Sequence, residues 1–366
     1  MATIFGHLTL NDSDYVYQAT QGQQVIYDAA KMFLDEREAE LERAYSVFVE
    51  RETSDYKLRY KLPAGGFMER VGPNGRGGNV KAVGSWDVAF PLEEFQLSVG
   101  GNRVSMAYMT VQNLDLHIQG VVESNIITVR HEILKRLFNN VQTSFTDPLW
   151  GTLLVEPLAN GDTVVYPPVA GTNAEATENH YLESGYAASA ISDTNNPIGT
   201  IVAELEEHFG KTSGGEDIAV FINVAQKAKV EALSDYDAYT DYGISPGANT
   251  DTLTNMPAPG SHPGRLIGRS NGAWIIEWDW VPANYMIGIH LGKPKPLIRR
   301  VDPEATGLPR GLALVAQTPG GILNQTFPFE QSTWANRYGY GAGNRLNGVV
   351  MELGTGGTYS IPSDYA

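Results

Sequence analysis

RETSDYKLRYKLPAGGFMERVGPNGRGGNVKAVGSWDVAFPLEEFQLSVGGNRVSMAYMTVQNLDLHIQGVVESNIITVRHEILKRLFNNV, residues 51–141, decides the fold. Arg51 to Leu62 has the composition of a strand, and Val80 to Met109 predicts further strands. Between them Ala64 to Asn79 holds six glycines and one proline in sixteen residues. Such a tip has no core of its own and becomes ordered only against something else. Gln112 to Val141 then sets Leu114, Ile118, Val121, Val122, Ile126, Val129, Ile133, Leu137 and Val141 at helical spacing, with Asp115, Glu123, Arg130 and Lys135 between them. At 1.5 Å per residue this helix is about 40 Å long, and Asp147-Pro148 is its expected limit. A projecting arm rooted on a long spine is the design of a subunit that embraces its neighbours.

Composition narrows the function. With 366 residues, 42 % hydrophobic and 19 % charged, the chain has material for more than one packed region. Its 42 acidic residues against 26 basic give a net charge of −16, so phosphate backbones and anionic membranes repel the molecule as a whole. The absence of cysteine removes disulfides, thiolate metal sites and cysteine nucleophiles, and suits assembly in a reducing cytoplasm. The first fifteen residues, MATIFGHLTLNDSDY, lack the basic and apolar regions of a signal peptide, and no apolar run has the length of a membrane span.

Outward from the opening stretch, residues 1–50 predict a polar lead and a helix from about Gln23 to Val49. Beyond Trp150 the chain alternates short elements with Gly, Pro, Asn and Thr. Asn196-Pro197 begins a helix through Phe209, Ile218 to Ile222 is a buried strand, and Val224 to Leu233 is a helix. Ala273 to Trp280, Tyr285 to Leu291, Leu297 to Val301 and Leu312 to Ala316 complete a region of helices on a sheet. Charge is segregated. Residues 173–217 carry nine acidic side chains against Lys211, whereas Lys293, Lys295, Arg299, Arg300 and Arg310 outnumber Asp302 and Glu304. Opposite patches of this kind can meet across a head-to-tail contact between copies, although solvated surface is the ordinary role of such runs.

No motif for chemistry is complete. His131-Glu132 lacks the second histidine of HExxH, and the seven histidines stand singly. There is no GxSxG elbow and no phosphate-binding GxxxxGK[ST] loop. Gly339-Tyr-Gly341-Ala-Gly343 precedes a strand pattern, not the helix a dinucleotide site needs. Asp235, Asp237 and Asp241 offer carboxylates at near-even spacing, but without the glycine and terminal Glu of an EF-hand loop. Trp274, Trp278 and Trp280 share one face if the strand runs through them, as core or as a sugar-stacking platform.

One segment supports a resemblance. Trp334-Ala-Asn-Arg337-Tyr-Gly339-Tyr-Gly-Ala-Gly343-Asn344-Arg345-Leu-Asn-Gly-Val349-Val-Met resembles the last strands of the peripheral domain in HK97-like major capsid proteins of tailed bacteriophages, where an Arg-aromatic-Gly turn leads through an Asn-Arg pair into an apolar strand. Trp278-Asp-Trp-Val-Pro282-Ala-Asn-Tyr-Met-Ile-Gly288 is similar to that family's axial-domain segment. The resemblance implies an α+β fold of five parts: an N-terminal arm (1–50), an extended β loop (51–111), the spine helix of the peripheral domain (112–149), a mixed α/β axial domain (150–320) and returning peripheral strands (321–366).

It further implies a structural protein without catalytic site, cofactor or metal, which forms hexamers and pentamers of an icosahedral virion shell assembled in the host cytoplasm. Implied partners are other copies of the chain, a separate scaffolding protein, a portal protein, a decoration protein and loosely held, non-specific DNA; no membrane is involved. With no long charged segment ahead of the arm, an internal scaffolding domain is not expected; scaffolding would come from a separate protein or have been removed already. Candidate inter-subunit contacts are Phe67, Met68, Val71 and Arg76 in the tip, with Arg299, Arg300, Arg337 and Arg345. Lys57, Lys61 and Lys81 match no Lys–Asn cross-linking motif with Asn336, Asn344 or Asn347. Two alternatives stand beside this reading: an encapsulin nanocompartment shell, which gene neighbourhood would distinguish, and a carbohydrate-active enzyme or lectin built on the tryptophans and the Asp235–Asp241 loop.

Overall fold

The computed structural model describes residues 41–61, 85–102, 110–166, 177–209, 218–238, 261–318 and 329–366, together with 37, 39, 68, 70–73, 75 and 169. In chain order the elements are β1 (Val49–Thr53), β2 (Lys57–Lys61), β3 (Ser85–Ala89), β4 (Glu93–Asn102), α1 (Val111–Phe138), β5 (Thr143–Asp147), β6 (Gly151–Val155) and β7 (Tyr181–Glu183). Then come α2 (Pro197–Phe209), β8 (Ile218–Ile222), α3 (Val224–Val230), β9 (Asp237–Ala238), β10 (Arg265–Ser270), β11 (Ala273–Glu277) and β12 (Tyr285–His290). The chain ends with β13 (Leu297–Arg300), β14 (Ala313–Thr318), β15 (Phe329–Ala342) and β16 (Val349–Glu352).

Two compact units divide the chain: Met1–Glu42, Leu92–His131 and Val301–Tyr338 form one, and Arg43–Pro91, Glu132–Arg300 and Gly339–Ala366 the other. In the first unit β15 pairs antiparallel with β4 and with β14. The period-3.6 stripe of α1 supplies the cover: Ile118, Val121 and Val122 pack with Val99 and Trp334 in one buried cluster. At roughly 1.5–3 kcal/mol per buried aliphatic side chain, this stripe is what holds helix and sheet together.

The second unit is built on a seven-stranded mixed sheet in the order β7-β16-β12-β8-β11-β10-β9. Its central strand β8, Ile-Ala-Val-Phe-Ile, is buried at every position, as a strand covered on both faces must be. α2 packs on this sheet through Ile198, Ile201 and Leu205. Asn196 starts the helix, its Oδ1 accepting from the backbone N–H of Ile198 at 3.0 Å and Gly199 at 3.3 Å. The close approach depends on Gly288 in β12, where an added Cβ would lie 2.1 Å from Ile201 Cγ2. α3 opens with a capping box between Asn223 and Gln226.

Several expectations are corrected. α1 ends at Phe138, short of Val141 and Asp147-Pro148, because the Tyr359 and Tyr181 hydroxyls donate to the Phe138 and Asn139 carbonyls at 2.7 and 2.8 Å, while Asn139 Oδ1 accepts from the Val141 N–H. Beyond the helix the chain turns into an unexpected hairpin, β5–β6. Arg51 to Leu62 is two strands, broken where Asp55 N–H donates to Thr53 Oγ1. The helix expected to reach Val49 is over by Tyr45, and Val49 begins β1; residues 23–36 lie outside those described. α3 stops at Val230, not Leu233. β11 stops at Glu277, so Trp278 and Trp280 do not continue its face; Trp274 and Trp278 are buried core. Arg337-Tyr338-Gly339 lies inside β15 and makes no turn, and the last strand is confined to Val349–Glu352. Among the described residues no helix is long and apolar enough to cross a membrane.

Candidate assembly interface

β2 and β3, which bracket residues 62–84 and form the root of the expected arm, pair antiparallel from Lys57↔Ala89 to Lys61↔Ser85; most of 62–84 lies outside the described residues. Asp87 clamps this root: its carboxylate accepts from Arg59 Nε at 2.6 Å and Arg59 Nη2 at 2.9 Å and meets Lys57 Nζ at 2.7 Å. These two cations hold the Asp87 carboxyl well below the usual carboxylate range. A recess of about 500 Å³ lies beside the clamp, bounded by Lys57, Arg59 and Asp87 on one side and by Thr152, Leu154 and Glu156 on another.

Alternate glycines of β15 explain how the root is seated. A Cβ on Gly339 would lie 2.2 Å from the Pro91 carbonyl oxygen, and one on Gly341 would lie 2.6 Å from Phe90 Cδ1. The Ala89–Pro91 backbone therefore rests directly on a strand face that only glycine leaves open. Arg300 fixes the crossing, donating through Nη1 to the Phe90 carbonyl at 2.9 Å and through Nη2 to Asp147 Oδ2 at 2.9 Å. Burial pushes the Asp147 carboxyl up, but the N–H groups of Leu149 and Trp150 and the Arg300 guanidinium outweigh it and leave it below its ordinary value.

The expected contact residues fall into two sets. In the tip, Met68 is wholly exposed and Val71 is exposed, whereas Phe67 and Arg76 lie outside the described residues. The arginines turn inward. Arg345 is fully buried and donates to the carbonyls of Pro157 and Leu158, to Asn160 Oδ1 and, at 2.7 Å, to Asp162 Oδ2. Arg299 is buried against Glu52 at 3.0 Å, and half-buried Arg337 reaches Asp302 at 3.4 Å. Arg299, Arg300 and Arg345 thus have little or no surface to offer another chain; any part they have in a contact passes through the loops they hold.

Asp235 Oδ2 accepts from Ser270 Oγ at 3.0 Å and the Asn271 N–H at 2.6 Å, a turn-holding role; Asp241 lies outside the described residues. Among the described residues, Glu178, Glu204 and Glu207 bring carboxylate oxygens within 4.8 Å of one another, a grouping hidden in sequence by the 25 residues between Glu178 and Glu204. Burial and then the charges of Glu207 and Glu178 push Glu204 up to about 7.

No family model matches the chain, and no curated protein does. Solved structures do. A chain of Mycobacterium phage Patience superposes with a TM-score of 0.69 at 17 % identity over 100 % of this chain and 98 % of that one. A chain from the asymmetric unit of the bacteriophage PhiM1 mature capsid matches with a TM-score of 0.50 at 10 % identity over 83 % and 85 % of the two chains. A virus-like particle chain from Pyrococcus furiosus aligns over 86 % and 96 % at 11 % identity, with a TM-score of 0.41, too low to carry an argument. The fold is the HK97-type capsid fold, a mixture of few helices and many strands.

Proposed function

We propose that this chain is a major capsid subunit that assembles with its own copies into a closed icosahedral shell around phage DNA. The observation that carries the reading is the likeness to the Patience phage chain over essentially the whole of both chains. The geometry is consistent with it: an arm rooted by an ion-paired clamp and a glycine-faced crossing, yet carrying a tip with Met68 and Val71 in solvent. Hexamers and pentamers, a separate scaffolding protein, a portal and a decoration protein belong to this proposal, as does assembly in a host cytoplasm. So do the five-part division and the contacts of Phe67, Met68, Val71 and Arg76 with a neighbour. Net charge −16 supports loose, non-specific contact with packaged DNA, since a basic lining would retain it.

The reading assigns no catalytic residue. A nanocompartment shell shares the architecture but is not better supported by the comparisons. The lectin reading loses its platform, because Trp274 and Trp278 are packed into the core. Sedimentation of the purified chain tests the proposal: rings or shells should accumulate as concentration rises or scaffolding protein is added. A monomer under both conditions overturns it.

A further inference from the structure

Of the twelve large apolar side chains that stand exposed among the described residues, four fall between positions 141 and 154: Val141, Leu149, Trp150 and Leu154. They sit on and beside the β5–β6 hairpin, a two-stranded sheet whose other side buries Leu153 and Val155. Its tip is rigidly built. Asp147 Oδ1 accepts from the N–H groups of Leu149 at 2.9 Å and Trp150 at 3.2 Å, and Arg300 holds the other carboxylate oxygen. Gly151 closes the turn at φ +70°, a conformation that favours glycine. The Trp150 ring stacks on Tyr56 at 4.3 Å and 13°, while half of its surface and 83 % of Leu149 remain open to solvent.

A preformed turn that presents a leucine and a tryptophan outward has already lost the freedom that binding would otherwise remove, and tryptophan is the residue most often found at the energetic centre of an interface. Charge selects the partner. Val141 to Val155 contains a single ionisable residue, Asp147, and Arg300 neutralises it. Two copies each carrying −16 repel one another over most of their surfaces, and they approach at least cost where charge is missing and apolar side chains stand outward, as at this tip. We infer that the Leu149–Trp150 tip is a contact surface for a second copy of this chain, an inference that rests on the proposed shell function.

The natural chain has no cysteine, so Leu149→Cys introduces its only thiol at an open position that asks nothing of the core. Labelling with a bulky maleimide should be fast in dispersed subunits and at least about tenfold slower in the sedimented, associated fraction. The double variant Leu149→Ser with Trp150→Ser should keep the circular dichroism of the parent and, having lost the Trp150–Tyr56 stack, melt slightly lower, while Leu149→Ser alone should keep the parent's melting temperature; both should lose association. Equal labelling rates in dispersed and associated material, or normal particles from the double variant, would overturn this inference and leave the shell reading standing. A parent chain that never associates would overturn both. Protection that tracks a co-purified foreign chain, with no self-association, would replace the second copy by that partner and so also count against the inference.

Discussion

Residues 297–345 and residues 141–155 use their side chains in opposite ways. The first stretch carries five arginines, and each finds a partner within the chain: Arg299 on Glu52, Arg300 on Asp147, Arg310 on Glu304, Arg337 on Asp302 and Arg345 on Asp162. The second carries one charge, satisfied internally, and turns Leu149, Trp150 and Leu154 to solvent. A guanidinium presents five donors in a plane, so it can gather backbone carbonyls that no strand or helix claims. Arg345 does this for Pro157 and Leu158. Charge therefore marks where irregular backbone is held together, and uncharged, rigid, exposed surface marks where another molecule is to be expected.

The sharpest way to break this contrast is to remove a buried guanidinium. Arg345→Ala removes a fully buried guanidinium and strands the Pro157 and Leu158 carbonyls, while Asp162 keeps some access to solvent, and should lower stability by about 2–4 kcal/mol, read from the urea midpoint. A loss below about 1 kcal/mol would mean that the arginine does not organise the loop at 157–162. Next in size is the glycine face. Gly339→Ala forces a methyl against the Pro91 carbonyl, and the overpacking should cost about 1–3 kcal/mol, measured in the same way. If the variant is as stable as the parent, the arm root does not sit directly on β15.

A smaller effect is expected from the acidic cluster. Glu204 titrates near 7 in the folded chain and near the ordinary glutamate value when unfolded, so between those values the folded state binds the additional proton. Stability should therefore fall as pH rises from about 4.5 towards 7, and the loss should be complete above the folded value. After allowance for solvent access the expected change is on the order of 1 kcal/mol. Glu204→Gln should flatten this slope in thermal melts collected across that range. An unchanged slope in the variant would assign the proton elsewhere.

Much of the fold is legible in the sequence where local chemistry decides. Asn196-Pro197 predicts α2 to the residue, because a cap and a first-turn proline are local signals. The all-apolar Ile218–Ile222 is likewise a central strand in both. What stays hidden depends on distant partners. The helical period runs on to Val141, but α1 ends at Phe138 because hydroxyls 42 and 221 positions further along claim its last carbonyls. Arg345 is the same residue in sequence whether it points into solvent or into a loop nearly two hundred positions away. The Leu149–Trp150 turn is hidden too, since Asp147-Pro148 reads as a mere helix stop.

The central claim is that copies of this chain meet through arm tips and uncharged surface while Arg299, Arg300 and Arg345 serve the interior. Electron cryomicroscopy of particles formed by the full chain tests it most directly. The account predicts closed icosahedral shells in which residues 64–79 and the Leu149–Trp150 turn lie against a neighbouring subunit and Arg345 remains enclosed in its own. A dispersed monomer, or shells in which the 64–79 segment folds back on its own subunit and the arginines carry the contacts, would contradict it.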